Sequence, residues 1–251
     1  MEKHRPLRQD PARPILLAAL ALLAACSARL DPSLDGQPSL STARVALAGG
    51  SAPIALNICT ALARDRPRDA DLLTCQGDAL TALGRSAEAV TAFNAALASS
   101  PDNPGARIGL GRLRLASDPA AAEALFLAAL ARKPRDPTAL NNLGIARDLQ
   151  GHHADAQAAY GEAIAAAPDL RAAQVNLALS LAMSGRAAEA VRIIRPIGER
   201  PNATARERHD LAAVLAMDNK PEEAARLLRT DLPPTQTESA IDAFRALPSR
   251  R

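Results

Sequence analysis

The stretch NNLGIARDLQGHHADAQAAYGEAIAAAPD, residues 141–169, decides the fold class of this chain. It contains two helix-length runs separated by Gly151, and Pro168 follows the second run. Glycine adopts a positive φ at little cost, as a tight turn between helices requires. Proline cannot continue a helix, because it lacks the backbone N–H and clashes with the preceding turn. The stretch therefore predicts two antiparallel helices joined by a short turn.

Related stretches recur along the chain with a period of about 34 residues. An alanine marks the second helix of each unit: Ala55, Ala89, Ala122, Ala156, Ala190 and Ala224. A bulkier side chain follows each alanine by one helical turn: Cys59, Phe93, Phe126, Tyr160, Ile194 and Leu228. Gly77, Gly111 and Gly144 fall midway along first helices, where a small residue lets the second helix approach closely. A fixed period of this kind predicts a linear array in which each unit packs on its neighbours.

The repeat resembles the tetratricopeptide repeat. That family's motif positions are occupied by Leu143, Gly144, Gly151, Ala156, Tyr160, Ala163 and Pro168. The resemblance implies an all-α fold, a right-handed α-solenoid of about six helix pairs. The composition agrees, because 48% of the residues are hydrophobic but only 2% are aromatic. Apolar content made mostly of alanine and leucine suits close-packed helices better than sheets.

The repeats divide most of the chain into six units and a terminal segment. The predicted units are 36–69, 70–103, 104–136, 137–170, 171–204 and 205–238, which form one solenoid over residues 36–238. Residues 239–251 contain Ile241, Phe244 and Leu247 at helical spacing. They predict a C-terminal capping helix and a short tail, because the last unit of a solenoid would otherwise expose its apolar face.

An uncharged run from Ile15 to Ala25 precedes the repeats and ends next to Cys26. A membrane-spanning helix needs about 20 apolar residues, so this run is too short to span a bilayer alone. Its length and the basic residues before it are typical of a signal peptide, here residues 1–25. The sequence LAAC that ends at Cys26 resembles the bacterial lipobox. The resemblance implies that Cys26 is lipidated and that residues 26–35 form a lipidated tether.

The residue that follows the lipidated cysteine indicates whether a lipoprotein stays in the inner membrane or moves to the outer membrane. In bacterial lipoproteins an aspartate at this position commonly retains the protein in the inner membrane. Ser27 stands here, which implies the periplasmic face of the outer membrane. The alternative is an ordinary secretory signal with an incidental cysteine.

The chain lacks the motifs of the common enzyme classes. It contains no G-x-S-x-G, P-loop, Rossmann glycine set or HExxH sequence, so we predict a non-enzymatic protein without a cofactor. No cluster of lysine and arginine with interleaved aromatic residues occurs, so no nucleic-acid partner is predicted. His152, His153 and Asp155 could be considered as metal ligands. Adjacent histidines point in different directions and no third strong ligand is evident, so we interpret them as a polar turn.

Two cysteines lie within the repeats, Cys59 and Cys75. They fall on neighbouring helices of adjacent units, and an oxidising periplasm would permit a disulfide between them. Alternatively, Cys59 occupies the bulky column simply as a small hydrophobic residue. The sequence leaves both interpretations open.

In tetratricopeptide arrays the first helices line a concave surface, to which the second, fifth, sixth and ninth residues of each unit contribute. The resemblance implies a partner-binding groove lined by Arg112, Thr138, Asn141, Asn142, Ile145, Val175, Asn176, Leu179, Arg206, His209 and Asp210. Asn142 and Asn176 stand in one column, and amides can bind the backbone of an extended peptide without reading its sequence. The alternative is that these side chains are solvated or locally packed.

The second half of the chain resembles TadD, the lipoprotein family of the Flp-type tight-adherence pilus system. The resemblance is carried by Asn176-Leu177-Ala178, Ser184-Gly185-Arg186, residues 201–204, Arg206 to Ala212, and Arg229-Thr230-Asp231-Leu232. It implies a scaffold that assists an outer-membrane secretin or another pilus component. The alternative function is a general periplasmic adaptor for cell-envelope enzymes such as peptidoglycan hydrolases.

Overall fold

The computed structural model describes residues 38–247, and within this range it contains 13 α-helices and no strand. The helices are α1 Leu40–Ala48, α2 Ala52–Asp65, α3 Ala70–Ala82, α4 Ser86–Ser99, α5 Pro104–Arg114, α6 Pro119–Leu130, α7 Pro137–Leu149, α8 His153–Ala166, α9 Arg171–Met183, α10 Ala187–Gly198, α11 Ala205–Met217, α12 Pro221–Leu228 and α13 Pro234–Arg245. The all-α prediction is confirmed. The predicted signal peptide, Cys26 and the whole of the predicted tether (residues 26–35) lie outside the described residues.

Helices α1–α12 form six antiparallel pairs. Each first helix contacts its own second helix and also the first helix of the next unit, from α1 and α3 through to α9 and α11. Each second helix instead packs on the first helices of its own and the following unit. The first helices therefore lie side by side and form a continuous inner face, which is the arrangement of an α-solenoid.

The turns within the pairs use the residues that the sequence indicated. Gly50, Gly84, Gly151 and Gly185 have φ between +74° and +84°. Asn219 occupies the same place in the sixth unit with φ of 56°, a conformation that asparagine tolerates better than most residues. The third unit has no glycine turn; instead, the Asp118 side chain accepts a hydrogen bond from the backbone N–H of Ala121, and Pro119 begins α6.

The two repeating columns of the second helices form the core. The six column alanines are fully buried, and so are the bulky residues that follow them, with at most 1% exposure. The aromatic rings occupy the space that glycine leaves: a Cβ added at Gly77, Gly111 or Gly144 would collide with Phe93, Phe126 or Tyr160 respectively. The bulky residue thus packs over the first helix of its own unit, while Phe93 also contacts Gly109 of the next unit.

The ends of the array differ slightly from the predicted boundaries. Helix α1 begins at Leu40, where the side chain of Ser39 caps it. The terminal helix α13 begins at Pro234, within the range predicted for the sixth unit, because proline is favoured at the first position of a helix. It packs on α11 and α12 through Ile241 and Phe244, as expected of a cap. Between residues 38 and 247, none of the helices has the length and apolar character needed to traverse a bilayer.

Candidate partner-binding groove

The inner face contains a cavity of about 660 Å³ between the first helices of units three to six. Helices α5, α7, α9 and α11 supply most of its lining. The lining residues are Arg112, Asn141, Asn142, Ile145, Arg171, Ala172, Val175, Asn176, Leu179, Thr204, Arg206, Glu207 and Asp210. We call this surface the groove. Its lining joins amides, apolar side chains and charges of both signs, and it is large enough to hold several residues of an extended chain.

Nine of the eleven sequence-predicted residues line the groove, and two do not. Thr138 is exposed in the first turn of α7, where its backbone N–H donates to the capping carboxylate of Asp136. His209 was also expected in the groove, but its Nε2 lies 3.4 Å from Asp231 Oδ2, in the segment after α12. Asp231 also binds Arg208, and His209 Nε2 is buried without a hydrogen-bond partner within residues 38–247.

The sequence places Asn142 and Asn176 at the same repeat position, but their side chains have different surroundings in the structure. Asn176 Nδ2 donates a hydrogen bond to Asn141 Oδ1 at 2.9 Å, which links α9 to α7. The side-chain amide of Asn142 forms no hydrogen bond within residues 38–247, and its polar atoms still reach solvent in the groove although the residue is only 7% exposed. The amide of Asn142 therefore keeps its donor and acceptor atoms for a partner in the groove.

The apolar part of the groove is rigidly supported. Val175 is 8% exposed and belongs to the core cluster formed by α9, α10 and α11, and Leu179 packs against the same cluster. Ile145 is half-buried on the adjacent helix α7. Because the core holds Val175 and Leu179, these two side chains offer a preformed apolar surface, and few groups must be ordered when a partner binds.

Charged residues mark the two ends of the groove. At one end Arg112 Nη1 lies 3.9 Å from Asp78 Oδ1, and burial raises the pKa of Asp78 to about 6 although Arg112 and Arg44 oppose the shift. At the other end stand Arg206 and Asp210, and burial raises the pKa of Asp210 as well. Burial therefore disfavours the charged form of both carboxyl groups.

Four lining residues were not predicted: Arg171, Ala172, Thr204 and Glu207. Thr204 and Glu207 form a capping box at the start of α11, with the Thr204 backbone N–H donating to Glu207 Oε2 at 2.8 Å. This hydrogen bond, together with Arg171 and Arg200, lowers the pKa of Glu207. The sequence did contain a signal for this helix start, because residues 204–207 (TARE) match the Thr-x-x-Glu pattern that is typical of a helix N-terminus.

A disulfide joins Cys59 of α2 to Cys75 of α3, with 6.1 Å between the two Cα atoms. Cys59 is fully buried and Cys75 is 3% exposed. The bond closes a segment of 16 residues and fastens the first unit to the second. Of the two alternatives that the sequence left open, the structure therefore contains the disulfide.

The carboxylate of Asp148 organises the polar turn in the fourth unit. Asp148 accepts hydrogen bonds from the hydroxyl groups of Tyr160 and Ser180 at 2.9 and 2.7 Å, and His153 Nδ1 lies 2.8 Å from it. Burial, followed by the Asp148 charge, raises the pKa of Tyr160. Over residues 38–247 no group of three or more His, Cys, Asp or Glu side chains is placed to hold a metal ion.

Comparison with protein families identifies the repeats. Two family models, each described as tetratricopeptide repeat, match residues 40–104 and 148–196 and residues 80–143 respectively. Together they cover residues 40–143 and 148–196, which is more than half of the 251 residues. The chain belongs to the tetratricopeptide-repeat proteins. No curated protein matches it by sequence.

Solved structures show the same fold at low sequence identity. PilW, described as a widely conserved type IV pilus biogenesis factor, has a TM-score of 0.68 at 20% identity and covers 80% of this chain and 96% of its own. A tetratricopeptide repeat protein from Parabacteroides merdae has a TM-score of 0.60 at 17% identity, with 93% of each chain covered. PilF from Pseudomonas aeruginosa has a TM-score of 0.57 at 18% identity and covers 72% of this chain and 90% of its own.

Proposed function

We propose that this tetratricopeptide-repeat protein is a non-enzymatic scaffold that holds an extended segment of a partner protein in the groove. The observation that carries the proposal is the cavity itself, which is lined by the apolar side chains of Val175 and Ile145 and by the Asn142 amide, which forms no hydrogen bond within residues 38–247. An extended peptide supplies a backbone donor or acceptor at every residue, so it can pair with this amide.

We further propose that the scaffold is anchored by lipid at Cys26 to the periplasmic face of the outer membrane. The lipobox-like sequence around Cys26 supports this location. The disulfide between Cys59 and Cys75 also supports an exported protein, because structural disulfides persist mainly in oxidising compartments such as the periplasm. Two or more acyl chains would give stable attachment where a single chain would not.

The proposed task is assembly of a tight-adherence pilus, with an outer-membrane secretin as the partner. The resemblance of residues 176–232 to the TadD lipoproteins supports this task. The similar structure of PilW, whose description concerns type IV pilus biogenesis, is compatible with it. The fold alone does not choose among partners, because tetratricopeptide arrays serve many unrelated assemblies.

The anchor is tested with a Cys26→Ala variant expressed in cells that carry the pilus system. We expect the native protein to fractionate with the outer membrane and to capture the secretin after chemical crosslinking. The variant should lose the membrane fraction and most of the secretin. A Ser27→Asp variant is the matched control, because it keeps the cysteine and should move the protein to the inner membrane. If the native and Cys26→Ala proteins were both found in the soluble fraction, residues 1–25 would be only an export signal. If the native protein captured peptidoglycan hydrolases instead of the secretin, the adaptor function would be favoured.

A further inference from the structure

We propose that the groove selects an extended segment that carries acidic side chains. This inference rests on the proposed function of the groove and names the chemistry of the segment that it binds. It depends on two arginines, Arg112 of α5 and Arg206 of α11, which stand at opposite ends of the lining.

The two arginines are available to a partner. Both are exposed at the groove. Within residues 38–247 the only salt bridge of Arg112 is the long one to Asp78, at 3.9 Å, and Arg206 forms none. A guanidinium without a close partner binds a carboxylate in a forked geometry that neutral side chains cannot reproduce.

The acidic residues of the groove form no hydrogen bond with these two arginines. Glu207 is already bound by the backbone N–H of Thr204 at 2.8 Å and by Arg171 at 3.2 Å. Burial raises the pKa of Asp210, although the charge of Arg206 opposes the shift. Within residues 38–247 neither Arg112 nor Arg206 donates a side-chain hydrogen bond, so both guanidinium groups keep their donors for a partner.

The uncharged residues of the lining do not distinguish between partner segments of different charge. Asn142 and the Asn141–Asn176 pair offer amides, and Val175 and Leu179 offer apolar contact. These groups accept almost any extended backbone, so discrimination among segments falls to the arginines. Helices α7 and α9 lie between α5 and α11, so three interhelical distances separate the two ends, roughly 25–30 Å in total. An extended chain covers that span in about eight or nine residues.

The inference is tested with three fluorescent twelve-residue peptides that are identical except at every second position. Those positions carry aspartate in the first peptide, asparagine in the second and lysine in the third. Binding to the full folded chain is measured by fluorescence anisotropy at low salt and in about 0.5 M NaCl. We expect the aspartate peptide to bind about fivefold more tightly than the asparagine peptide at low salt, and the lysine peptide to bind weakest. High salt should remove most of this difference.

Two double variants separate the role of the groove from nonspecific charge. Arg112→Gln with Arg206→Gln should abolish the preference, so that the aspartate and asparagine peptides bind this variant equally tightly. Arg192→Gln with Arg229→Gln removes two exposed arginines that lie outside the groove lining, in α10 and directly after α12, and should keep the preference. Equal binding of the aspartate and asparagine peptides to the native chain would overturn the inference but leave the groove intact. Failure of all three peptides to bind would overturn both the inference and the proposed groove.

Discussion

Loss of the disulfide between Cys59 and Cys75 is expected to lower the free energy of unfolding of the first unit by about 3 kcal/mol. This is the size that loop-closure entropy gives for a closed segment of about 15 residues, and the bond here closes 16. The effect should be local, because the first unit (α1 and α2) packs only on the second unit among the described residues. The disulfide strengthens this one contact by joining α2 to α3.

Hydrogen exchange of the full chain, with and without a thiol reductant, measures this effect helix by helix. Amides of α1 and α2 should exchange roughly a hundredfold faster in the Cys59→Ala, Cys75→Ala double variant, while those of α9–α11 should not change. The reductant should have no further effect on the double variant. Unchanged protection of α1 and α2 would mean that the disulfide does not hold the first unit in place.

Replacement of Gly144 by alanine is expected to destabilise the fold by about 2 kcal/mol, the usual cost of overpacking a core. A Cβ at this position would collide with the ring of Tyr160. The ring cannot easily move, because it is 1% exposed and its hydroxyl donates to Asp148 at 2.9 Å. The loss should therefore exceed the small gain in helix propensity that alanine brings.

Gly161→Ala is the matched control for this prediction. Gly161 lies in α8 of the same unit, it is exposed, and no atom lies within 4 Å of an added Cβ. This variant should gain about 0.5–1 kcal/mol, because alanine restricts the unfolded chain and favours the helix. Urea unfolding of both variants gives the comparison. If Gly144→Ala were as stable as Gly161→Ala, the Tyr160 ring would not pack tightly against Gly144 as described above.

The fold was predictable because its signals are local and repeat in each unit. The glycine turns at 50, 84, 151 and 185 have the positive φ that their spacing indicated, and Asn219 replaces glycine with the same backbone conformation. The alanine and bulky columns are buried in all six units. Each of these features depends on a few neighbouring residues, and the repeat presents each of them several times.

The groove was predictable by position but not by side-chain pairing. Repeat position placed nine residues on its lining. It did not show that Asn176 would donate to Asn141 instead of standing free beside Asn142, because that choice depends on how α9 is rotated against α7. It also did not show that His209 would lie beside Asp231, which belongs to the segment after α12.

The disulfide illustrates the same limit. Cys59 and Cys75 were expected on neighbouring helices, but a bond needs their Cα atoms within about 7 Å and their side chains facing each other. The structure places the two Cα atoms 6.1 Å apart. Sequence spacing could indicate neighbouring helices but not a distance of that accuracy.

The measurement that tests the central claim most directly is site-specific photocrosslinking in intact membranes. A photoreactive amino acid is placed at Ile145, which lines the groove, or at Leu127 of α6, which is 45% exposed on a second helix and not in the groove lining. We predict that Ile145 crosslinks to one pilus-assembly protein, the secretin in our proposal, and that Leu127 does not. Identical adducts from both positions, or adducts from Leu127 alone, would contradict the assignment of the groove as the partner-binding site.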